Sequence, residues 1–313
     1  MLEIPVYMIT GFLESGKTSF LQDVLSGEDF ADGRKNLLIL CEEGEIEYDP
    51  QVLEDGNVTV VTVEDEEEFN ADFLKQMVRL HRPHRVFLEM NGMWDIKWLF
   101  EEDLPANLEI AQVITLVDGS TFPVYLNNMR SILSNLFQYT EMVMFNRCTP
   151  QMDLHSYRRC VRGLNPGAMI YFEDENQDPI DPGMEQPPYD LNADVIEVED
   201  MDYGLWFLDA TDHPDRYDGK KVHFTAKVMR PKGFPDGAFI PGRNAMTCCE
   251  DDIRFIGYLC KAPGAKLKSR QWIELTATIR YEYVKAYGEV GPVLYADEWK
   301  TTEEPKEELV YFN

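Results

Sequence analysis

An apolar run from Ile4 to Thr10 leads directly into Gly11-Phe12-Leu13-Glu14-Ser15-Gly16-Lys17-Thr18, and a stretch with helical spacing follows from Lys17 to Leu25. This order constrains the fold more than any other feature of the chain. Two glycines bracketing four residues, then Lys and a hydroxyl residue, make a loop whose backbone N–H groups converge on phosphate oxygens at the positive end of the next helix. Lys17 would neutralise the β and γ phosphates, and the Thr18 hydroxyl would bind Mg²⁺. Gly11, Glu14, Ser15, Gly16, Lys17, Thr18 and Ser19 are thus the expected nucleotide-binding residues.

The first half continues as short apolar runs alternating with helical patterns, the rhythm of βα units on a mostly parallel sheet. Further strands are expected at Asn36 to Cys41, Val58 to Val63, Arg85 to Met90, Ala111 to Val117, Glu141 to Asn146 and Ala168 to Phe172. Helices are expected at Glu67 to Leu80, Phe122 to Tyr139 and Met152 to Arg162, with Gly27 and Gly163 as stop signals. From Glu173 to Ala193 acidic residues and four prolines replace the pattern. Such a composition reads as a linker. The expected domains are an α/β P-loop NTPase domain over 1–175, an acidic Pro-rich linker over 176–193, and a small β domain over 194–313. In the last, strands are expected at Val195 to Val198, Lys221 to Met229, Phe255 to Leu259, Trp272 to Val284 and Val293 to Trp299. Their alternation and the intervening glycines predict a small antiparallel barrel or sandwich, with a barrel of the oligonucleotide-binding (OB-like) type as the working architecture.

The 313 residues carry a formal net charge of -28, with 29 basic against 57 acidic side chains. That balance repels the phosphates of nucleic acids and anionic membrane surfaces, so neither is an expected partner. Glu3 interrupts the start of the chain and no apolar run is long enough to span a bilayer. A cytoplasmic protein is therefore expected, not membrane-inserted, with its six cysteines as reduced thiols or metal ligands.

The series of motifs in the first 172 residues resembles the metallochaperone GTPases related to CobW, HypB and UreG. Ile9-Thr10-Gly11-Phe12-Leu13 with Gly16-Lys17-Thr18-Ser19, then Cys41-Glu42-Glu43-Gly44-Glu45 running to Asp49, then Glu89-Met90-Asn91-Gly92, are similar to that branch in the same order. Val113 to Asp118 and Asn165-Pro166-Gly167-Ala168 add to the likeness. The resemblance implies that Glu42 or Asp49 lies on a switch segment sensing Mg²⁺ and the γ-phosphate. It implies that Glu89 holds the metal or orients water, so that Lys17, Glu42, Asp49 and Glu89 form the catalytic set. Two departures stand out. The Cys-x-Cys-Cys metal motif is replaced by Val63-Glu64-Asp65-Glu66-Glu67-Glu68, and the guanine-reading Asn-Lys-x-Asp by Asn146-Arg147-Cys148-Thr149. Asn146 remains to contact the base, but Thr149 cannot accept the paired N–H groups of guanine, which predicts a weaker base preference.

In the second half Met246-Thr247-Cys248-Cys249-Glu250-Asp251-Asp252, preceded by Gly233-Phe234-Pro235 and Arg243, resembles the soluble domain of YcgQ-type proteins found beside predicted permeases. Adjacent cysteines are poorly placed to bond to each other. Their thiolates, with Cys260, His223 or Asp252, are candidate ligands for zinc or another transition metal; the alternative is two small buried residues on a strand. Cys41, Cys148 and Cys160 are expected in the core. The combined expectation is a hydrolase of GTP, or less selectively ATP, with Mg²⁺, whose nucleotide state is coupled to metal or partner binding by the Cys-bearing domain. The partner would be a metalloprotein client or a permease-associated protein. A regulatory module that binds nucleotide without turnover is the alternative reading, and a small-molecule kinase a weaker one for want of an arginine-rich lid.

Overall fold

The computed structural model describes residues 3–312 apart from 43, 45, 102, 103, 106 and 248–251. The chain forms two compact units, one of residues 1–154 and 164–182, the other of 155–163 and 183–313.

The first sheet is built from β1 (Ile4–Thr10), β2 (Asn36–Leu40), β3 (Val58–Thr62), β4 (Arg85–Glu89), β5 (Leu108–Asp118), β6 (Met142–Asn146) and β7 (Met169–Phe172). Their order is β3-β2-β4-β1-β5-β6-β7, with every pair parallel. Connections carry α1 (Lys17–Ser26), α2 (Pro50–Asp55), α3 (Ala71–His81), α4 (Trp98–Glu101), α5 (Phe122–Asn128), α6 (Arg130–Gln138) and α7 (Leu154–Leu164). Strands buried on both faces read as near-continuous apolar runs, which is why they were legible. Met8, Ile39 and Leu88 pack on one face with Leu74 and Met77 of α3, whereas Ile9, Leu38 and Phe87 pack on the other with Leu21 and Leu25 of α1.

The single helix expected over Phe122 to Tyr139 is two, broken at Met129 with φ -133 and ψ 41. Side chains take part of the backbone ladder there: Asn128 Nδ2 donates to Val124 O and Arg130 Nε to Leu126 O, at 2.7 and 2.9 Å. Gly163 does not stop α7 but lies inside it, where a side chain would meet Phe312 and Thr247 at 2.8 Å.

The second unit holds β8 (Ile196–Glu197), α8 (Tyr203–Asp212), α9 (Pro214–Tyr217), β9 (Lys221–Met229), β10 (Ala238–Ala245), β11 (Arg254–Gly257), β12 (Leu259–Lys261), β13 (Trp272–Val284), β14 (Glu289–Thr301) and β15 (Leu309–Val310). Strands β9, β10, β12, β14 and β13 pair in a closed ring, since β13 and β10 both return to β9. The ring is a five-stranded barrel, antiparallel except for the parallel β12–β14 pair. Alternation fills it: Val222, Phe224, Ala226 and Val228 of β9 face Ile273, Leu275, Ala277 and Ile279 of β13 within one apolar core. Helix α8, absent from the expectation, buries Tyr203, Trp206 and Leu208 in that core, and Tyr189 and Leu191 pack against it.

Arg243, next to the Cys-Cys segment in sequence, is wholly buried. Its guanidinium donates to Asp200 Oδ1 and Glu307 O, both at 2.5 Å, and stacks 5.2 Å from the Trp272 ring centre. A planar fork that satisfies carbonyls and a carboxylate together explains an arginine in an apolar wall. Its role is to fasten the segment leading to β15.

Candidate functional site

Parallel register brings the motif ends of five strands to one edge of the first sheet. Ile9 lies opposite Glu89, Leu40 opposite Glu89, Thr10 opposite Thr115, and Asp118 opposite Asn146. The loop after β1 therefore opens between β4 and β5, where ligands of open α/β sheets bind. Gly92 closes the turn after β4 against this loop: a Cβ there would lie 2.4 Å from Gly11 O. The glycine of Glu89-Met90-Asn91-Gly92 is thus required by close approach of two backbones.

A cavity of about 310 Å³ follows, lined among others by Glu14, Lys17, Thr18, Ser19, Glu42 and Glu89. Lys17 is buried, and its Nζ donates to Glu42 Oε2 at 2.7 Å and to the carbonyls of Gly11 and Phe12 at 3.0 and 2.9 Å. Thr18 Oγ1 donates to Glu89 Oε1 at 2.7 Å, while the Tyr48 hydroxyl donates to Glu89 Oε2 at 2.5 Å. Burial, with the adjacent Glu89 charge, pushes the Tyr48 hydroxyl well above its ordinary pKa, so it remains a donor. A threonine hydroxyl and a carboxylate side by side, next to the loop lysine, are hard oxygens suited to Mg²⁺. Among the described residues, the Ser15 hydroxyl is buried with no hydrogen-bond partner and no side chain caps the first turn of α1. Both features suit a loop built to receive phosphate oxygens.

Asp49 stands elsewhere. Its carboxylate caps α2 by accepting from Gln51 N at 2.8 Å, and its own N–H is held by Gln22 Oε1. Tyr48, its neighbour, is the residue of that segment that reaches Glu89, and nothing in the sequence marked it. Asn146 Nδ2 donates to Ser15 O at 2.7 Å, tying the end of β6 to the phosphate loop. Arg147 bridges the same loops through Glu14 O at 2.9 Å and Asp118 Oδ2 at 2.5 Å. For Asp118, burial raises the carboxyl pKa, but hydrogen bonds from Ser120 and Arg147 outweigh it and hold the group below the usual carboxylate range.

Residues 5–171, more than half of the chain, match the CobW/HypB/UreG nucleotide-binding domain. The chain belongs to the CobW/HypB/UreG family. Residues 175–312 match the DUF1980 C-terminal domain. The zinc chaperone CobW of Sinorhizobium sp. is 28% identical over 135 residues, which is 38% of this chain and 37% of that protein's length. Among solved structures, the Zn(II)-bound YjiA GTPase from E. coli aligns with 85% of this chain and 92% of its own, at 16% identity and a TM-score of 0.43. The hydrogenase maturation factor HypB from Archaeoglobus fulgidus aligns with 56% of this chain and 84% of its own, at 13% identity and a TM-score of 0.40.

Of the metal ligands expected in the second half of this CobW/HypB/UreG protein, the described ones, Cys260, His223 and Asp252, do not form one group. Cys248 and Cys249 lie outside the described residues. Cys260 is fully buried in the barrel core, and burial pushes its thiol up to about 12. On β9, where Val222 and Phe224 point inward, His223 lies on the outer side of the wall, with Nδ1 2.6 Å from Glu197 Oε2 and Nε2 3.8 Å from Glu274 Oε2. Alternation along the strands sets Cys260 and His223 on opposite sides of the wall, so they cannot share an ion. Asp252 Oδ1 accepts from Thr247 N at 2.8 Å. No group of three or more His, Cys, Asp or Glu side chains placed for a metal is found among the described residues. Cys41, Cys148 and Cys160 are buried, as expected of core residues. No helix among the described residues is long and apolar enough to cross a membrane.

Proposed function

We propose that the protein is a Mg²⁺-dependent nucleoside triphosphatase acting on GTP, or less selectively on ATP. The observation that carries the reading is the meeting of Lys17, Thr18, Glu42 and Glu89 in one cavity at the end of β1 and β4. Lys17 would exchange Glu42 for the β and γ phosphate oxygens, a swap of one anionic partner for another that keeps its buried charge paired throughout. Mg²⁺, when bound, would supply positive charge against the charge that develops on the phosphate oxygens. Thr18 and Glu89 would hold it, through the two oxygens that now face each other. Release of Glu42 from Lys17 frees the segment from Cys41 to Asp49, and this is the switch by which nucleotide state is sensed. Tyr48 follows the same segment and would leave Glu89 free to orient water.

The Cys248-Cys249 pair is the proposed metal- or partner-binding element of the second unit, with ligands other than Cys260 and His223. A metalloprotein client or a permease-associated protein is the proposed recipient. The CobW/HypB/UreG membership and the zinc chaperone relative support that direction.

Binding without turnover is the second reading, favoured by the full engagement of Glu89 with Thr18 and Tyr48. Phosphate release from GTP, measured for the parent and for Glu89→Gln, separates the two. The hydrolase reading predicts slow steady release that falls at least about a hundredfold in the variant. A parent that binds GTP and releases no phosphate over hours selects the regulatory module.

A further inference from the structure

The phosphate cavity continues into a second one of about 540 Å³, and the two share Gly16, Ser19 and Arg147. Its apolar lining comes from Phe20 and Val24 of α1, Leu116 of β5 and Met144 of β6. Together they offer surface for a planar ring beside the phosphates. Asn146 stands at its margin with Oδ1 buried and, among the described residues, unpartnered. Thr149, which occupies the position of the family's guanine-reading carboxylate, is exposed and takes no part in the lining.

Carboxylates line this cavity all the same, and they come from the loop after β7. Glu173 follows β7 directly, and its backbone is fastened at two points, one in β6 and one in the loop after it. Its N–H donates to Phe145 O and its carbonyl accepts from Cys148 N, both at 2.9 Å. Of the neighbouring acids, Asp174 accepts the N–H groups of Asn176 and Asp178 at 2.7 and 3.0 Å, Asp23 accepts from Gln177 at 3.4 Å, and Glu175 is exposed. Among the described residues, no hydrogen bond or ion pair engages the Glu173 carboxylate. Burial and the charges of Asp174 and Asp23 raise its pKa, a penalty that donated hydrogen bonds would relieve.

We propose that Glu173 is the base-specificity residue of this site: its carboxylate accepts the N1–H and 2-amino donors of guanine in the cavity beside Gly16, replacing the carboxylate that Thr149 lacks. The proposal rests on the nucleotide-binding reading above. Guanine presents two adjacent donors, which a carboxylate accepts together. Adenine presents one donor beside the N1 lone pair, so the second carboxylate oxygen would face another acceptor. Base choice is thus moved from one loop to its backbone-tied neighbour.

Calorimetric titration with the diphosphates of guanosine, inosine, adenosine and xanthosine tests this without requiring turnover. The parent is expected to prefer GDP over ADP, and over IDP, which lacks the 2-amino group, by at least about tenfold. Glu173→Gln abolishes both preferences and improves xanthosine diphosphate binding, because the new amide donates to the 2-oxo group; a gain of this kind cannot come from poor folding. Glu173→Asp keeps the order GDP over ADP at reduced affinity, and Thr149→Ala leaves the ratios unchanged. Equal GDP and ADP affinities in the parent, or a guanine preference that survives Glu173→Gln, overturn the proposal while nucleotide binding stands. A parent that binds none of the four overturns the nucleotide-binding reading and the proposal with it.

Discussion

Lys17 Nζ lies 2.7 Å from Glu42 Oε2, with side-chain exposures of 3% and 13%, so the lysine of the loop after β1 is held by a carboxylate of the loop after β2. A triphosphate must displace that carboxylate. Glu42→Ala is therefore expected to raise triphosphate affinity about three- to tenfold when titrated without Mg²⁺, since a competitor for Lys17 is removed. A fall in affinity would show that Glu42 helps to hold the nucleotide.

Tyr48 and Glu89 are joined by a 2.5 Å hydrogen bond across 41 residues of sequence, and Glu89 is buried. Tyr48→Phe leaves one carboxylate oxygen without its donor. It should destabilise the first unit by about 1–3 kcal/mol in urea unfolding. An unchanged midpoint would mean that water replaces the hydroxyl at no cost.

Arg243 is the polar anchor of the barrel wall. Arg243→Ala strands Asp200 and the carbonyls of Glu307 and Glu308, and should cost the second unit about 3 kcal/mol. Arg243→Lys should recover only part of that, because an ammonium lacks the planar fork that stacks on Trp272. Equal stability of the lysine variant and the parent would contradict the assignment.

Cys260 ties stability to alkaline pH. Its ordinary thiol value of 9.0 is raised to about 12 by burial. The unfolded chain loses the proton above pH 9 while the folded chain retains it, so the contribution is complete below pH 9 and is lost as pH rises towards 12. The slope is at most about 1.4 kcal/mol per pH unit. Denaturant midpoints of the parent and Cys260→Ala should converge over this window; parallel curves would place the thiol in water.

How far the sequence could be read depended on the range of the interactions involved. The strand ends that build the phosphate cavity were legible because each carries a local apolar run followed by a motif, and parallel register does the rest. Tyr48 was not, since its partner is reached only when the loop after β2 crosses the end of β4. A switch role for Asp49 is implied by the resemblance of Cys41 to Asp49 to a family segment, whereas the helix starting at Pro50 takes its carboxylate as a cap. Cys260 and His223 looked like companions of the cysteine pair until barrel closure set their side chains on opposite sides of one wall. Helix α8 escaped notice because a helix apolar on most sides lacks the amphipathic period that marks surface helices.

Lys17 and its loop are proposed to bind the phosphates of a nucleoside triphosphate. Isothermal titration of GTP with Mg²⁺, and of guanosine alone, into the parent and Lys17→Ala tests it most directly. The account predicts that the substitution weakens GTP binding at least about a hundredfold while any guanosine binding is unaltered, because the lost contact is to phosphate. Equal GTP affinity in the variant and the parent would contradict it.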